Sequence, residues 1–171
     1  MIIDGEVNLI NDIEGTPDNV ILLDFDRIAG YVVLREDLGN IPAHAFQNRT
    51  DLLNVVNQGP VTVGDSAFEG CTNLQYVSDF SQITAIGERA FKDCSSLTEI
   101  TLKADGIEDR AFEGCSSLVS VTLDYWHIEA GDLIFGPVED LPEGFTIYVD
   151  PEDLPYYEVA PGWETYKDYM E

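Results

Sequence analysis

Phenylalanine recurs along this chain at nearly one interval, and this feature constrains the fold more than any other. Successive members are separated by 22, 23, 21 and 23 residues. They are Phe46, Phe68, Phe91, Phe112 and Phe135. A fixed period of about 20 to 29 residues is typical of solenoids in which strand-plus-turn units stack on one another. Because one unit cannot bury its apolar side chains alone, the sequence predicts stacked units that share a core.

Aligning the phenylalanines shows which other positions repeat. Each of the first four phenylalanines has an aliphatic residue five positions before it and a leucine six positions after it. The segment LTEITLK (97–103) alternates, which predicts a strand with Ile100 and Leu102 inward. The segment AFKDCSSL (90–97) spaces its apolar residues by three or four, which predicts a short helical or 3₁₀ turn. The sequence therefore predicts a β-rich α/β solenoid of strand, turn, helical turn and return.

The two ends depart from the repeat, as terminal units of solenoids do. We expect residues 1–40 to form an N-terminal cap or a small leading sheet, and residues 41–144 to form repeats of 21–23 residues. Residues 145–171 are expected to supply the last strand and an aromatic cap. Trp163, Tyr166 and Tyr169 are spaced by three, which suits a short helix on the last rung. The alternative is that these aromatic residues form a partner site.

Three cysteines follow the same period. Cys71, Cys94 and Cys115 each lie three residues after a repeat phenylalanine, so their spacings are those of the repeat and not of a metal or redox motif. This position predicts one small buried side chain per rung. Buried free thiols are the expected state. A disulfide is the geometrically more demanding alternative.

The chain is strongly acidic, with 33 acidic and 8 basic residues and a net charge of −25. Such a field repels nucleic acid and anionic membrane surfaces, so neither is expected as a partner. The acidity indicates either a cationic partner, bound cations, or simply solubility. No run of 18 apolar residues predicts a membrane span. The N-terminal sequence MIIDGEVNLINDIEG lacks the basic and apolar regions of a signal peptide.

Residues for chemistry are sparse. The two histidines, His44 and His127, fall in the first and fourth units, too many rungs apart to share a metal or a catalytic centre. The acidic clusters at 139–140 and 150–153 lack the ligand order of a calcium-binding EF-hand loop. No nucleotide-binding, hydrolase or metalloprotease motif occurs. We therefore expect no catalytic residues, no cofactor and no metal site.

The outward strand positions are the expected site of recognition, because they stack into columns with one residue per rung. The columns are Asn54, Tyr76, Glu99, Ser120, Thr146; then Val56, Ser78, Thr101, Thr122, Tyr148; then Gln58, Phe80, Lys103, Asp124, Asp150. Aromatic side chains beside hydroxyl groups suit protein or glycan contacts. The candidate partner-binding residues are Tyr76, Phe80, Glu99, Thr101, Lys103, Ser120, Thr122, Asp124, Tyr125, Trp126 and Tyr148.

Two alternatives to that site stay open at this stage. The columns are equally what an ordinary solvated sheet with threonine would present. The triplet Tyr125-Trp126-His127 interrupts the repeat directly after a strand, so it is expected to form a bulge or loop. Trp126 is then either exposed for a partner or tucked under the C-terminal cap.

The consecutive units IGERAFKDCSSLTEITL (86–102) and IEDRAFEGCSSLVSVTL (107–123) resemble the BspA-type, or Treponema pallidum-type, leucine-rich repeat. The ending FTIYVD with the later PGWETY resembles the closing segment of that family, so the resemblance covers about residues 41–166 and leaves out residues 1–40. It implies a right-handed superhelix with one parallel strand per repeat and short helical turns, capped at both ends.

The resemblance also implies a function. Such proteins are typically extracellular or at the cell surface, and many are adhesins or ligand-binding modules. A non-enzymatic recognition or adhesion module that binds a protein or glycan on the strand-lined face is therefore expected. The alternative is a structural or decoration subunit of a larger assembly such as a bacteriophage virion, which would act through self-assembly or incorporation in that complex.

Overall fold

The computed structural model describes residues 22–26, 30–34, 39–57, 59–78 and 83–171, which form a parallel β-solenoid of about five turns. The strands are β1 (Leu22–Asp26), β2 (Tyr31–Leu34), β3 (Gly39–Ile41), β4 (Asn54–Asn57), β5 (Val61–Val63), β6 (Tyr76–Ser78), β7 (Ile83–Ile86), β8 (Glu99–Leu102), β9 (Gly106–Ile107), β10 (Ser120–Leu123), β11 (Glu129–Ala130) and β12 (Thr146–Val149). The helices are the 3₁₀ helices Val138–Asp140 and Glu164–Tyr169 and the α-helix α1 (Leu154–Tyr157).

Each unit contributes one strand to the front of the solenoid. There the strand order is β1-β2-β4-β6 in one sheet and β8-β10-β12 in another. In the second sheet Val121 lies in parallel register with Ile100 on one side and Ile147 on the other, and all three are buried. The alternation predicted from LTEITLK is confirmed, because Ile100 and Leu102 are buried while Glu99 and Thr101 are exposed.

In the described residues the front is divided into two sheets between β6 and β8. Residues 79–82, which follow β6, lie outside the described residues.

Each unit contains two strands, whereas one strand per unit was expected. The strands β3, β5, β7, β9 and β11 form a five-stranded parallel sheet on the back of the solenoid. Val61 and Val63 point inward and are buried, with Thr62 between them turned outward. The return segment therefore has the alternation of a strand, in a run too short to stand out in the sequence.

The segments around the phenylalanines are chains of single hydrogen-bonded turns that do not join into a continuous helix. In the third unit the N–H groups of Ala90, Lys92 and Cys94 bond three residues back, to Gly87, Arg89 and Phe91. The N–H groups between them bond instead to the next rung, as in Phe91 N to Ala111 O at 2.8 Å. Left-handed φ angles of 56° at Arg89 and 59° at Asp93 interrupt the helical backbone, so the intervening N–H groups bond to the next rung and no helix forms.

The right-handed superhelix implied by the family resemblance stays a prediction.

The core runs along the stack of phenylalanine rings. Phe46, Phe68, Phe91 and Phe112 lie parallel, with neighbouring ring centroids 5.1 to 5.4 Å apart. The three cysteines are buried free thiols, as predicted. Each donates its S–H to the carbonyl of a phenylalanine in the preceding rungs, for example Cys71 to Phe46 O at 3.0 Å. The rungs of Phe68, Phe91 and Phe112 thus each repeat one apolar ring and one satisfied thiol.

Ahead of the first phenylalanine, β2 and β3 occupy the front and back positions of a further unit. β2 pairs in parallel with β4, and β3 pairs in parallel with β5. β1 then adds to β2 in the antiparallel direction. The expectation for residues 1–21 lies outside the described residues.

The tail after β12 folds over the last rung. Tyr157, Trp163 and Tyr166 have fully buried side chains, and Tyr169 packs edge-on against Phe145 at 5.8 Å. Met170 pairs in parallel with Ile147, and Glu171 N donates to Ile147 O at 2.9 Å, so these two residues lie beside β12. The aromatic residues of the tail therefore close the core at this end.

Candidate partner-binding surfaces

The first candidate surface is the front face, defined as the outward side chains of β4, β6, β8, β10 and β12. Its columns have the predicted register within each sheet. Ser120 lies opposite Glu99 and Thr146, and Thr122 lies opposite Thr101 and Tyr148. In the other sheet Asn54 lies opposite Tyr76, and Val56 lies opposite Ser78. These residues are set at the spacing of adjacent parallel strands, about 4.8 Å.

Two tyrosines project from the front face. Tyr76 is 50% exposed and Tyr148 is 44% exposed. They belong to β6 and β12, so the hydroxyl and carboxylate side chains of β8 and β10 lie between them. An aromatic side chain with this exposure offers a large contact area at a low cost in conformational entropy.

The third predicted column is described in part. Lys103 Nζ lies 2.8 Å from Asp124 Oδ2, with both side chains more than one-third exposed. Such an exposed pair contributes only about 0–1 kcal/mol to stability. The pair places both signs of charge at the end of the front columns. Phe80 and Gln58 lie outside the described residues.

The triplet Tyr125-Trp126-His127 forms a bend between β10 and β11. Tyr125 O accepts a 2.6 Å bond from Tyr157 Oη, which ties the bend to the tail. Trp126 is 63% exposed, so it is not tucked under the cap. Its ring stacks on His127 at 4.4 Å, and His127 in turn contacts Tyr156 at 4.1 Å. The bend thus carries a fixed and exposed indole.

The bend opens toward the back of the solenoid, away from the front columns. Tyr125, Trp126 and His127 line a groove of about 400 Å³ together with Asp105, Gly106 and Glu129. Gly106 and Glu129 belong to the back sheet. The sequence grouped Trp126 with the front columns, whereas the structure places it at the corner between front and back.

Sequence reasoning missed a larger cavity on the back sheet, here called the back groove. Its volume is about 610 Å³. It is lined by Asn40, Thr62, Val63, Gly64, Asp65, Ala85, Ile86, Gly87, Glu88, Gly106, Ile107, Glu108, Asp109, Glu129, Ala130 and Gly131. The signal that could have found it is the recurrence of glycine followed by an acid, at Gly64-Asp65, Gly87-Glu88 and Gly131-Asp132.

The glycines of the back groove have a packing reason. A Cβ at Gly87 would lie 2.8 Å from the backbone N of Asp65, and one at Gly131 would lie 2.6 Å from that of Asp109. Successive rungs approach too closely there for a side chain. The Asp65 and Asp109 carboxylates use the space, accepting bonds from the N–H of Glu88 at 3.1 Å and of Asp132 at 2.8 Å.

The thiols show no sign of reactivity. Burial raises the pKa of Cys71 and of Cys115 to about 12, and it raises that of Cys94 as well. A thiol of this kind is a poor nucleophile at neutral pH. Among the described residues no group of three histidine, cysteine or acidic side chains is placed to hold a metal ion. No helix in the same part of the chain has the length and apolar character to cross a bilayer.

Comparison with protein families matches the BspA type leucine rich repeat region, in six copies over residues 30–141. The chain belongs to the BspA-type leucine-rich repeat family. The match begins at residue 30, so the resemblance inferred from residue 41 onward started one unit too late. The missed unit is the one formed by β2 and β3. Its signal is the 23-residue step from Val32 to Val55.

Two solved structures share the fold of this BspA-type protein. A leucine-rich repeat protein from Bacteroides ovatus is 23% identical with a TM-score of 0.60, over 82% of this chain and 41% of that one. The T. pallidum leucine-rich repeat protein is 24% identical with a TM-score of 0.62, over 74% of this chain and 60% of that one. The chain therefore spans about half the length of these relatives. A search of the curated proteins gave no match.

Leucine-rich repeat proteins generally bind protein partners, and their family and fold are typically non-enzymatic. BspA-type members are often surface proteins. The family therefore suggests a protein-interaction or adhesion module.

Proposed function

We propose that this chain is a non-enzymatic recognition or adhesion module that binds a protein or glycan partner on its front face. The observation that carries the proposal is the register of the front columns. It presents Tyr76 and Tyr148, half exposed, on either side of outward Glu99, Thr101, Ser120 and Thr122. Planar rings beside hydroxyl groups give stacking and adaptable hydrogen bonds, which both protein and glycan surfaces use.

The Lys103–Asp124 pair supports the same surface. Because the pair contributes little to stability, its charges are available to orient a partner. The outward side chains of a sheet form an open surface, which suits an extended contact better than a small buried ligand. Tyr125 and Trp126 lie past the end of β10 and would touch only a partner that extends around the corner.

A binding screen with labelled protein tests the proposal, using a glycan array and a panel of extracellular matrix and cell-surface proteins. The double variant Tyr76→Ser/Tyr148→Ser should lose about 2–4 kcal/mol of binding free energy toward any hit, because exposed aromatic anchors dominate such interfaces. The matched control is Val159→Ser, which removes a 75% exposed apolar residue from the tail. Equal loss in both variants would place the contact elsewhere.

The alternative of a structural subunit is not favoured by any feature of the described residues or by the comparisons. Light scattering coupled to size-exclusion chromatography checks it. We expect a monomer at physiological salt. A stable oligomer that persists in the Tyr76→Ser/Tyr148→Ser variant would indicate that the ends of the solenoid, and not the front face, mediate assembly.

A further inference from the structure

Trp126 is the most exposed aromatic residue among the described side chains, and its neighbours hold it in place. One side of the indole stacks on His127, which contacts the partly buried Tyr156. A single exposed apolar residue needs no explanation by itself. Here, however, the carboxylates of Asp105 and Glu129 line the same groove as the ring. An exposed indole that shares a groove with two carboxylates is an arrangement that attracts a cation to the ring face.

This groove is continuous with the back groove. Gly106 and Glu129 line both cavities, and Glu129 N bonds to Asp105 O at 3.1 Å across the rungs. Together they extend across the five strands of the back sheet and end at Trp126. Strands about 4.8 Å apart give this surface a length of about 19 Å, which six extended residues span.

The floor of the back groove is made of small side chains. The outward residues of its central strands are Thr62, Ala85 and Gly106. Small residues let another main chain approach the sheet closely. A groove of about 610 Å³ above such a floor suits an extended peptide.

The charge of the rim decides the kind of peptide. The lining residues include five acids and no lysine or arginine; the acids are Asp65, Glu88, Glu108, Asp109 and Glu129. Arg89, just outside, lies 3.4 Å from Glu88 and partly offsets that one carboxylate. The chain as a whole carries a net charge of −25. The resulting field repels phosphates and concentrates cations in the groove.

We propose that the back groove, with Trp126 at its end, binds an extended arginine- or lysine-rich segment of a partner protein. One cationic side chain lies over the Trp126 ring between Asp105 and Glu129. Further basic residues meet Glu108 and the carboxylates of the earlier rungs, while small residues of the segment lie against Thr62 and Ala85. This surface is separate from the front face and does not depend on the function proposed for it.

The test uses a blocked heptapeptide of alternating arginine and serine at about 150 mM salt, where charges more than about 8 Å apart are largely screened. Acrylamide quenching reports the site directly, because Trp126 is exposed and Trp163 is fully buried. We expect the peptide to bind and to protect Trp126 from acrylamide, and the corresponding glutamate–serine peptide to do neither. Absence of binding, or binding without protection, would overturn the proposal.

Substitutions distinguish binding of the peptide in this groove from general attraction to the negative charge of the protein. Trp126→Ala, followed by calorimetry, should weaken the peptide about fivefold. Glu108→Gln/Glu129→Gln should weaken it at least fivefold, whereas the matched pair Glu139→Gln/Glu143→Gln, with the same change of charge on exposed residues away from the groove, should change it less than about twofold. Equal weakening by both pairs would show attraction to net charge alone. Tyr76→Ser/Tyr148→Ser should bind the peptide unchanged, so a failed front-face screen leaves this result intact.

Discussion

The middle rungs and the C-terminal end of this solenoid use the same side chain in different ways. Between Phe68, Phe91 and Phe112 the rings are parallel within 7°, and each ring repeats the one below it. Phe135 is tilted by 27° from Phe112, and it meets Phe145 and Tyr166 edge-on at 5.2 Å. A parallel stack can extend without limit, whereas rings set edge-on leave no face for a further rung.

The backbone shows the same contrast. In the middle of the stack Phe91 N donates to Ala111 O, and Phe112 N donates to Ile134 O of the next rung. In the described residues no further phenylalanine rung stacks on Phe135, and its N–H donates to Tyr166 Oη at 3.1 Å. The same hydroxyl donates to Gly136 O at 2.8 Å. A side-chain hydroxyl therefore replaces a rung of backbone, which satisfies groups that would be costly to bury unpaired.

Removing one ring from the middle of the stack should have the largest effect on the free energy of unfolding. Phe91→Ala removes a fully buried ring from the middle of the stack and should lower the free energy of unfolding by about 3–5 kcal/mol. Urea unfolding followed by circular dichroism measures it. Tyr148→Ala, a half-exposed aromatic on the front face, is the control and should cost far less. A loss below about 1 kcal/mol at Phe91 would mean that the stack does not carry the core.

Removing one hydroxyl should break the end and leave the middle intact. Tyr166→Phe keeps the ring but leaves Phe135 N–H and Gly136 O without their partner. We expect it to lower the free energy of unfolding by about 1–3 kcal/mol in the same urea experiment. Tyr169→Phe, which keeps the contact with Phe145, should cost less than about 0.5 kcal/mol. Equal effects in the two variants would contradict the capping role of the hydroxyl.

The pH dependence of the stability lost in Tyr166→Phe tests whether the Tyr166 hydroxyl is buried. Burial raises the pKa of Tyr166 to about 12, above the value near 10 of an unfolded tyrosine. A raised pKa contributes stability that is fully present below about pH 10 and is lost as the pH rises toward 12. The stability difference between the original chain and Tyr166→Phe should therefore shrink across that window. A difference that stays constant from pH 9 to 12 would indicate an exposed hydroxyl.

Two glycine-to-alanine substitutions separate the cost of a steric clash from the cost of a strained φ angle, and the expected difference is smaller. Gly114 and Gly144 have φ angles of 76° and 82°, so alanine is strained at both. A Cβ at Gly114 would also collide with Asp93 Oδ1 of the preceding rung, whereas one at Gly144 meets no described atom within 4 Å. We expect Gly114→Ala to cost about 1 kcal/mol more than Gly144→Ala, measured by thermal unfolding. Equal costs would show that Asp93 moves aside freely.

The smallest expected effect is on the front face. Glu99→Ala should change the free energy of unfolding by less than about 0.5 kcal/mol, because Glu99 is exposed and outward. Urea unfolding at neutral pH measures it. A large loss would mean that the strand register is inverted, since a shift of one residue exchanges the inward and outward sets.

The repeat was predictable because the same requirement recurs in every rung. The positions of Phe91, Cys94, Leu97 and Ile100 follow from the period alone, and all four are buried. The front columns were predictable for the same reason, since strands in register place equivalent residues side by side. The unit of β2 and β3 was missed because it precedes the first phenylalanine and so has no ring to align.

What the sequence by itself determined is the period, the buried set and the outward columns, because these depend only on which residues recur and at what spacing. The tertiary structure alone decided the back sheet, the turns around the left-handed Arg89 and Asp93, the hydroxyl that ends the stack, and the corner position of Trp126. The back sheet and the turns recur with the repeat but in runs too short to show a pattern, whereas the capping hydroxyl and the position of Trp126 depend on residues that no period connects. Tyr166 contacts Phe135 across 31 residues, and Trp126 lines a groove with Glu129 because the chain bends between two strands.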